Sequence, residues 1–161
     1  MRKVFPTKKW VLIDASYLMH RSYYTMKSLT KDSGHQVLIY GFLLQLLTAC
    51  LHAAARSNRV LVCFDSRRSI RKKIFPEYKA NRKIEEDEEA QQKKELIRLA
   101  LFDLQQTVLP NIGIHCVMLE GLESDDLLAL AALEAAESKE EAVIITGDHD
   151  LYQCLRPGVT W

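Results

Sequence analysis

Val60-Leu61-Val62-Cys63-Phe64-Asp65 is the stretch that decides the fold. Its apolar run is too short for a stable helix and leaves no polar side for water, so it reads as a strand covered on both faces. Four runs of this character occur: Trp10–Ile13, Val60–Phe64, Ile114–Leu119 and Ala142–Thr146. Helical patterns separate them. Val37 to Ala55 is apolar almost all round, which predicts a central buried helix with Tyr40 and Phe42, like Trp10, in the core. Glu88 to Val108 is amphipathic and stops before Pro110, and Ser124 to Ser138 opens on Ser-Asp-Asp, which suits a helix start. Strands alternating with helices predict βαβ units, hence an α/β fold with a mostly parallel sheet flanked by helices. Ser66 to Asn81 breaks the pattern. It is basic, carries Phe75, Pro76 and Tyr78, and is expected as a surface loop or partly helical excursion.

Composition narrows the class. At 161 residues, 48% apolar and 27% charged, the chain predicts one globular domain, residues 1–161, and excludes disordered and collagen-like classes. The longest apolar stretch, Val37 to Leu51, is interrupted by Gln45 and falls short of the roughly 20 residues of a membrane span. Met1-Arg2-Lys3 has no apolar signal core behind it, so a cytoplasmic address and no membrane partner are expected. Cys50, Cys63, Cys116 and Cys154 form no CxxC pair and read as free thiols, not zinc ligands. A net charge of +1 conceals strong polarity. Arg67, Arg68, Arg71, Lys72, Lys73, Lys79, Arg82 and Lys83 crowd one segment, and the acids from Glu85 to Glu89 follow at once.

The acids carry the chemistry. The first strand runs into Asp14 and the second into Asp65. The third is followed by Glu120 and then Glu123-Ser124-Asp125-Asp126, and the fourth leads through Gly147 to Asp148 and Asp150. In a parallel sheet all strands end along one edge, where such folds place their sites. Like charges gathered there repel unless a cation neutralises them, and oxygen-only ligands suit Mg²⁺ or Mn²⁺. Two such ions about 3.5–4 Å apart can activate water and stabilise the leaving oxygen of a phosphodiester. Any one of these acids can equally be a turn former or helix cap, and Asp126 reads as a helix-start charge. All four strand ends together favour the metal reading, although other small α/β proteins, receiver domains among them, also cluster acids there.

Ile13-Asp14, Phe64-Asp65, Tyr78-Lys79-Ala80-Asn81-Arg82, Gly121-Leu122-Glu123-Ser124-Asp125-Asp126 and Thr146-Gly147-Asp148-His149-Asp150-Leu151-Tyr152-Gln153 occur in this order. Together they resemble the 5′-nuclease, or flap endonuclease-like, family: the N-terminal nuclease domain of bacterial DNA polymerase I and the stand-alone 5′-3′ exonucleases of bacteria and phages. The resemblance covers nearly the whole chain. It implies a PIN-like core with a basic arch-like insertion, and metal-dependent cleavage of DNA at 5′ ends and flaps. By position it implies Asp14, Asp65, Glu123 and Asp125 as ligands of a first ion, Asp148 and Asp150 of a second, with Asp126 nearby. Arg71, Lys79 and Arg82 match positions that meet the scissile phosphate or the 5′ strand, and Arg21 matches another basic position. Lys79 and Arg82 are therefore the expected catalytic cations. Lys72 in the same basic run and the ring of Tyr78, which can stack on an unpaired base, complete the expected DNA contacts.

Family members continue past the equivalent of Trp161 with further aspartates and a helix-hairpin-helix region that grips duplex DNA. The chain is therefore expected to lack that region, as a fragment, as a natural minimal form, or as a chain whose second metal site a further polypeptide segment completes, and to hold the second ion through fewer carboxylates. Two other readings stay open: a truncated, non-catalytic nucleic-acid-binding module, and a PIN-type ribonuclease. The five histidines are not expected to be catalysts, although His149 lies between two acids.

Overall fold

The computed structural model describes residues 9–53, 59–78 and 87–161. Strand β1 (Lys9–Asp14) is the centre of a five-stranded sheet, joined by β2 (Arg59–Cys63), β3 (His115–Val117), β4 (Glu141–Ile145) and β5 (Val159–Thr160) in the spatial order β3-β2-β1-β4-β5. Every pairing is parallel. Val11 faces Val60 on one side and Val143 on the other, and Cys63 pairs with Val117. Val11, Leu12 and Ile13 are fully buried, as a strand covered on both faces requires.

Helices α1 (Ala15–Met26), α2 (Gln36–Ala53) and α4 (Glu88–Asp103) build one core against the sheet, and α5 (Ser124–Glu137) builds the other. Helix α1 follows β1 directly, without a loop. It escaped the sequence reading because serine, threonine and tyrosine dilute its pattern, yet Asp14 caps its first turn and Leu18, Met19 and Tyr23 anchor it. Helix α2 lies on it closely. A β-carbon at Gly41 would sit 3.1 Å from Met26 Cγ and 3.3 Å from Ser22 Cβ, and Gln45 Nε2 donates to Ser22 Oγ at 2.7 Å.

The expectation of a buried α2 needs correction. Leu38, Phe42 and Leu46 are buried, but Tyr40, Leu44, Leu47 and Leu51 on the opposite side are exposed, Tyr40 by 61%. Two neighbouring layers cover one side of a helix, and apolar composition alone cannot tell which side will be covered. Trp10 is only half-buried. Its Nε1 donates to Glu140 at 2.6 Å and Arg59 lies over its ring.

The amphipathic helix does not stop before Pro110: Leu104–Val108 widens to a π-helix and the helical chain runs on through Leu109–Asn111, with Pro110 in the first turn of that last segment, where a missing N–H is tolerated. The third strand is shorter than Ile114–Leu119, and β5 was not foreseen. Among the described residues of the excursion, 66–78, only Ile70–Ile74 is helical (α3), capped by Ser69 Oγ. Among the described residues no helix is long and apolar enough to cross a membrane, and all four cysteines are free.

The two sides of α2 should respond differently to substitution. Phe42→Ala is expected to cost about 3–5 kcal/mol of unfolding free energy, whereas Tyr40→Ser should stay within about 0.5 kcal/mol. Urea unfolding of the two variants checks this.

Candidate functional site

The carboxyl ends of the strands meet as the acid pattern required. The chain after β2 and the chain after β3 are stitched together: Phe64 N donates to Val117 O at 2.9 Å, Ser66 N to Leu122 O at 3.0 Å and Ile70 N to Gly121 O at 2.8 Å. Gly121 makes that contact at φ +89°, where a side chain would be strained. This stitching carries Glu123 and the start of α5 to Asp65, whose Oδ1 accepts from Ser124 N at 2.8 Å. Ser16 Oγ donates to the other oxygen of Asp65 at 2.5 Å.

Asp14 sits at the centre, 6% exposed. Its Oδ1 accepts from Tyr17 N at 3.1 Å and its Oδ2 from Thr146 Oγ1 at 2.8 Å, so one carboxylate ties β1, α1 and the end of β4. Thr146 Oγ1 also accepts from Asp148 N at 3.1 Å, and Asp148 Oδ1 caps the following 3₁₀ helix by accepting from Asp150 N at 2.9 Å. The backbone reaches Asp148 by passing under a ring. A β-carbon at Gly147 would lie 2.4 Å from Tyr17 Cε2.

Electrostatics records the crowding. Asp125 is pushed up to about 6, first by burial and then by the charges of Asp14, Asp148, Asp65 and Glu123. Asp14 is also raised, chiefly by burial and further by Asp65, while its bonds to Tyr17 N and Thr146 pull the other way. Acids from four strand ends therefore act on one another. The donors are oxygens alone, which suits a hard divalent cation.

As they stand, however, no three or more Asp, Glu, His or Cys among the described residues converge closely enough to hold one ion. Hydroxyls, backbone amides and one arginine engage carboxylate oxygens of Asp14, Asp65, Glu123, Asp126 and Asp148. The set fits a divalent cation in donor type and charge, and side-chain rotation would have to complete the geometry.

Asp126 combines two roles. It forms a capping box with Glu123, accepting from Glu123 N at 3.0 Å, as its place at the helix start suggested. It also pairs with both ends of the Arg71 fork, at 3.0 Å from Nη1 and 2.5 Å from Nη2. Arg71 Nη1 lies 3.0 Å from Glu123 Oε2, and Tyr78 OH donates to that same oxygen at 3.0 Å. Arg71 and Tyr78, expected on DNA, are thus held by carboxylates here.

Lys72 lines a cleft of about 480 Å³ with Arg67, Arg68 and Lys73, between Asp65 and Glu123. Arg21 and Asp150 are exposed. Lys79 and Arg82 lie outside the described residues. His149 stacks on Tyr152 with ring centres 5.1 Å apart and meets the edge of Trp161.

The sequence reading missed Ser16, Ser124 and Thr146, which orient the acids. The only signal for them was a hydroxyl within two residues of an acid. His20, outside the expected set, has its imidazole lowered by burial and by Lys93 against the pull of Asp14 and Asp65.

Comparison with known proteins follows the same pattern. A family model described as the 5′-3′ exonuclease N-terminal resolvase-like domain matches residues 9–161. DNA polymerase I of Bacillus caldotenax is 32% identical over 155 residues, which is 95% of this chain and 16% of that protein. A 5′-3′ exonuclease of Buchnera aphidicola subsp. Schizaphis graminum is 26% identical over 154 residues, 94% of this chain and 50% of that one. The chain therefore spans half or less of the length of these relatives. Among solved structures, phage T5 5′-exonuclease with divalent zinc ions superposes with a TM-score of 0.74 at 18% identity, over 96% of this chain and 55% of that one. A phage T5 flap endonuclease in a pseudo-enzyme–product complex with DNA and metal ions gives 0.73 at 18% identity, over 96% and 54%. These likenesses show the fold alone, an α/β core with a parallel sheet flanked by helices.

The raised Asp125 has a consequence for stability. Its value of about 6 lies above the ordinary 3.8, so the folded state holds this proton more tightly than the unfolded chain does. That stabilisation is present at low pH and is lost as pH rises through about 6. In EDTA, Asp125→Asn should melt with the parent near about pH 4 and above it near about pH 7.5. Equal offsets at both pH values in thermal unfolding would refute the assignment.

Proposed function

The chain belongs to the family of 5′-3′ exonuclease N-terminal resolvase-like domains, and from that premise we propose that it hydrolyses phosphodiester bonds of DNA at 5′ ends or flaps with two divalent ions, Mg²⁺ or Mn²⁺. The observation that carries this reading is Asp125, a carboxylate disturbed by four others from separate strand ends. Further support comes from relatives that bear the name 5′-3′ exonuclease and from similar folds seen with divalent ions and with DNA.

In this reading Asp14, Asp65, Glu123 and Asp125 hold the first ion, and Asp148 and Asp150 the second, with Asp126 beside them. Divalent ions held by these carboxylates would supply activation of water and charge neutralisation at the leaving oxygen. Ser16, Ser124 and Thr146 hold Asp14 and Asp65 at the edge, by hydrogen bonds that metal coordination would have to replace. Lys79 and Arg82 supply cations to the scissile phosphate, and Arg21, Arg71 and Lys72 hold the flanking backbone. Tyr78 offers a ring for an unpaired base.

One observation favours a second reading, a binding module without turnover: the described acids do not yet converge on a common point. The two part cleanly in an assay. With Mg²⁺ and a 5′-labelled flap substrate, Asp65→Ala should cut at least about 100-fold more slowly, the scale of losing one charge-stabilising group, with its circular dichroism unchanged. Cleavage that persists in this variant, or in excess EDTA, rules out the metal reading. Salt-sensitive binding with no cleavage under any metal would favour the module. Preference for single-stranded RNA over flap DNA would instead indicate a PIN-type ribonuclease.

A further inference from the structure

The acid edge is paired with a cation of the chain's own, Arg71. The excursion after β2 lies across the acids through two side chains. The Arg71 guanidinium grips both oxygens of Asp126, at 3.0 and 2.5 Å, and its Nη1 also lies 3.0 Å from Glu123 Oε2. Tyr78 OH donates to that same Glu123 oxygen, and the Arg71 guanidinium lies 5.8 Å from the centre of the Tyr78 ring. The Glu123 carboxylate also takes the helix-capping amide of Asp126. Glu123 is 8% exposed, so these donors replace water around it.

We propose that Arg71 and a divalent ion compete for the Glu123–Asp126 pair, so that Arg71 sets the affinity of the metal edge and is released from the acids when metal binds. The inference rests on the metal reading of Glu123 given above. Its physical ground is simple. A carboxylate oxygen already facing a guanidinium at 3.0 Å has spent a lone pair, and a second cation brought to the same group is repelled by the first. The alternative, in which Arg71 merely holds Glu123 in a ligating pose, predicts the opposite sign.

Competition of this kind is reciprocal: whatever Arg71 takes from metal affinity, bound metal takes from the hold on Arg71. The freed guanidinium stays on α3, beside the cleft of Lys72 and Lys73, where a backbone phosphate can accept the same fork. Arg71 thereby links the occupation of the acid edge to the readiness of the basic wall.

The test measures the binding of Mn²⁺ alone by calorimetry, with no nucleic acid present. Arg71→Ala should bind Mn²⁺ about tenfold more tightly than the parent, within the usual range of coupling between competing ligands. Tyr78→Phe, which removes one donor from Glu123 and keeps the charge, should shift affinity in the same direction by less. It also serves if the alanine variant folds poorly. In the parent, hydrogen exchange of amides 70–78 should quicken when Mn²⁺ is added. Unchanged or weaker binding in both variants, with normal binding in the parent, overturns the competition and leaves the metal reading standing. If no variant and no parent protein binds Mn²⁺, both fall.

Discussion

Carboxylates gathered at one edge of a parallel sheet repel one another, and every local feature of that edge answers this repulsion. Asp14, Glu123 and Asp148 each cap a helix, where unpaired amides and the helix dipole favour a negative charge. Ser16 and Thr146 lend hydroxyl donors, and Arg71 lends a full positive charge. Even so, Asp125 remains poorly compensated, as its shift toward the neutral form records. The fold thus holds a concentration of negative charge that its own donors only partly balance, and this imbalance is what gives a divalent cation a reason to bind there.

The frame that holds these charges is tight in two places. Gly121 turns the chain after β3 back onto the start of α3, which fixes Glu123 beside Asp65. Gly147 lets the loop before Asp148 pass against the Tyr17 ring, which fixes Asp148 beside the cap of α1. Each glycine joins acids that lie far apart in sequence. The two halves of the site meet at Asp14 through its bond with Thr146.

Much of this was legible from residues alone because strand and acid lie next to each other in the chain. Ile13-Asp14 and Phe64-Asp65 announce both the strand and the group at its end, and topology does the rest. Three things were not legible, for distinct reasons. Helix α1 is rich in residues of modest helix propensity and gains its stability from packing on α2. The uncovered side of α2 depends on which layers exist around it, which composition does not encode. The grip of Arg71 on Glu123 and Asp126 joins side chains more than fifty residues apart. Seen as sequence, Arg71 was one of three bases matched to a phosphate-contacting position, and only the stitching between the chains after β2 and β3 shows it gripping acids.

The central place of β1 has a consequence for the order in which the molecule can assemble. Val11 needs Val60 on one side and Val143 on the other, so β1 is synthesised well before β4, the neighbour that covers its second edge. Until then an almost wholly apolar strand keeps an open hydrogen-bonding edge, the kind of surface that pairs with neighbouring chains. Non-local pairing of this sort also slows folding, since loops must close before contacts reward them. Arrested translation short of Ile145 would release a polypeptide with its middle strand uncovered on one flank, prone to clumping.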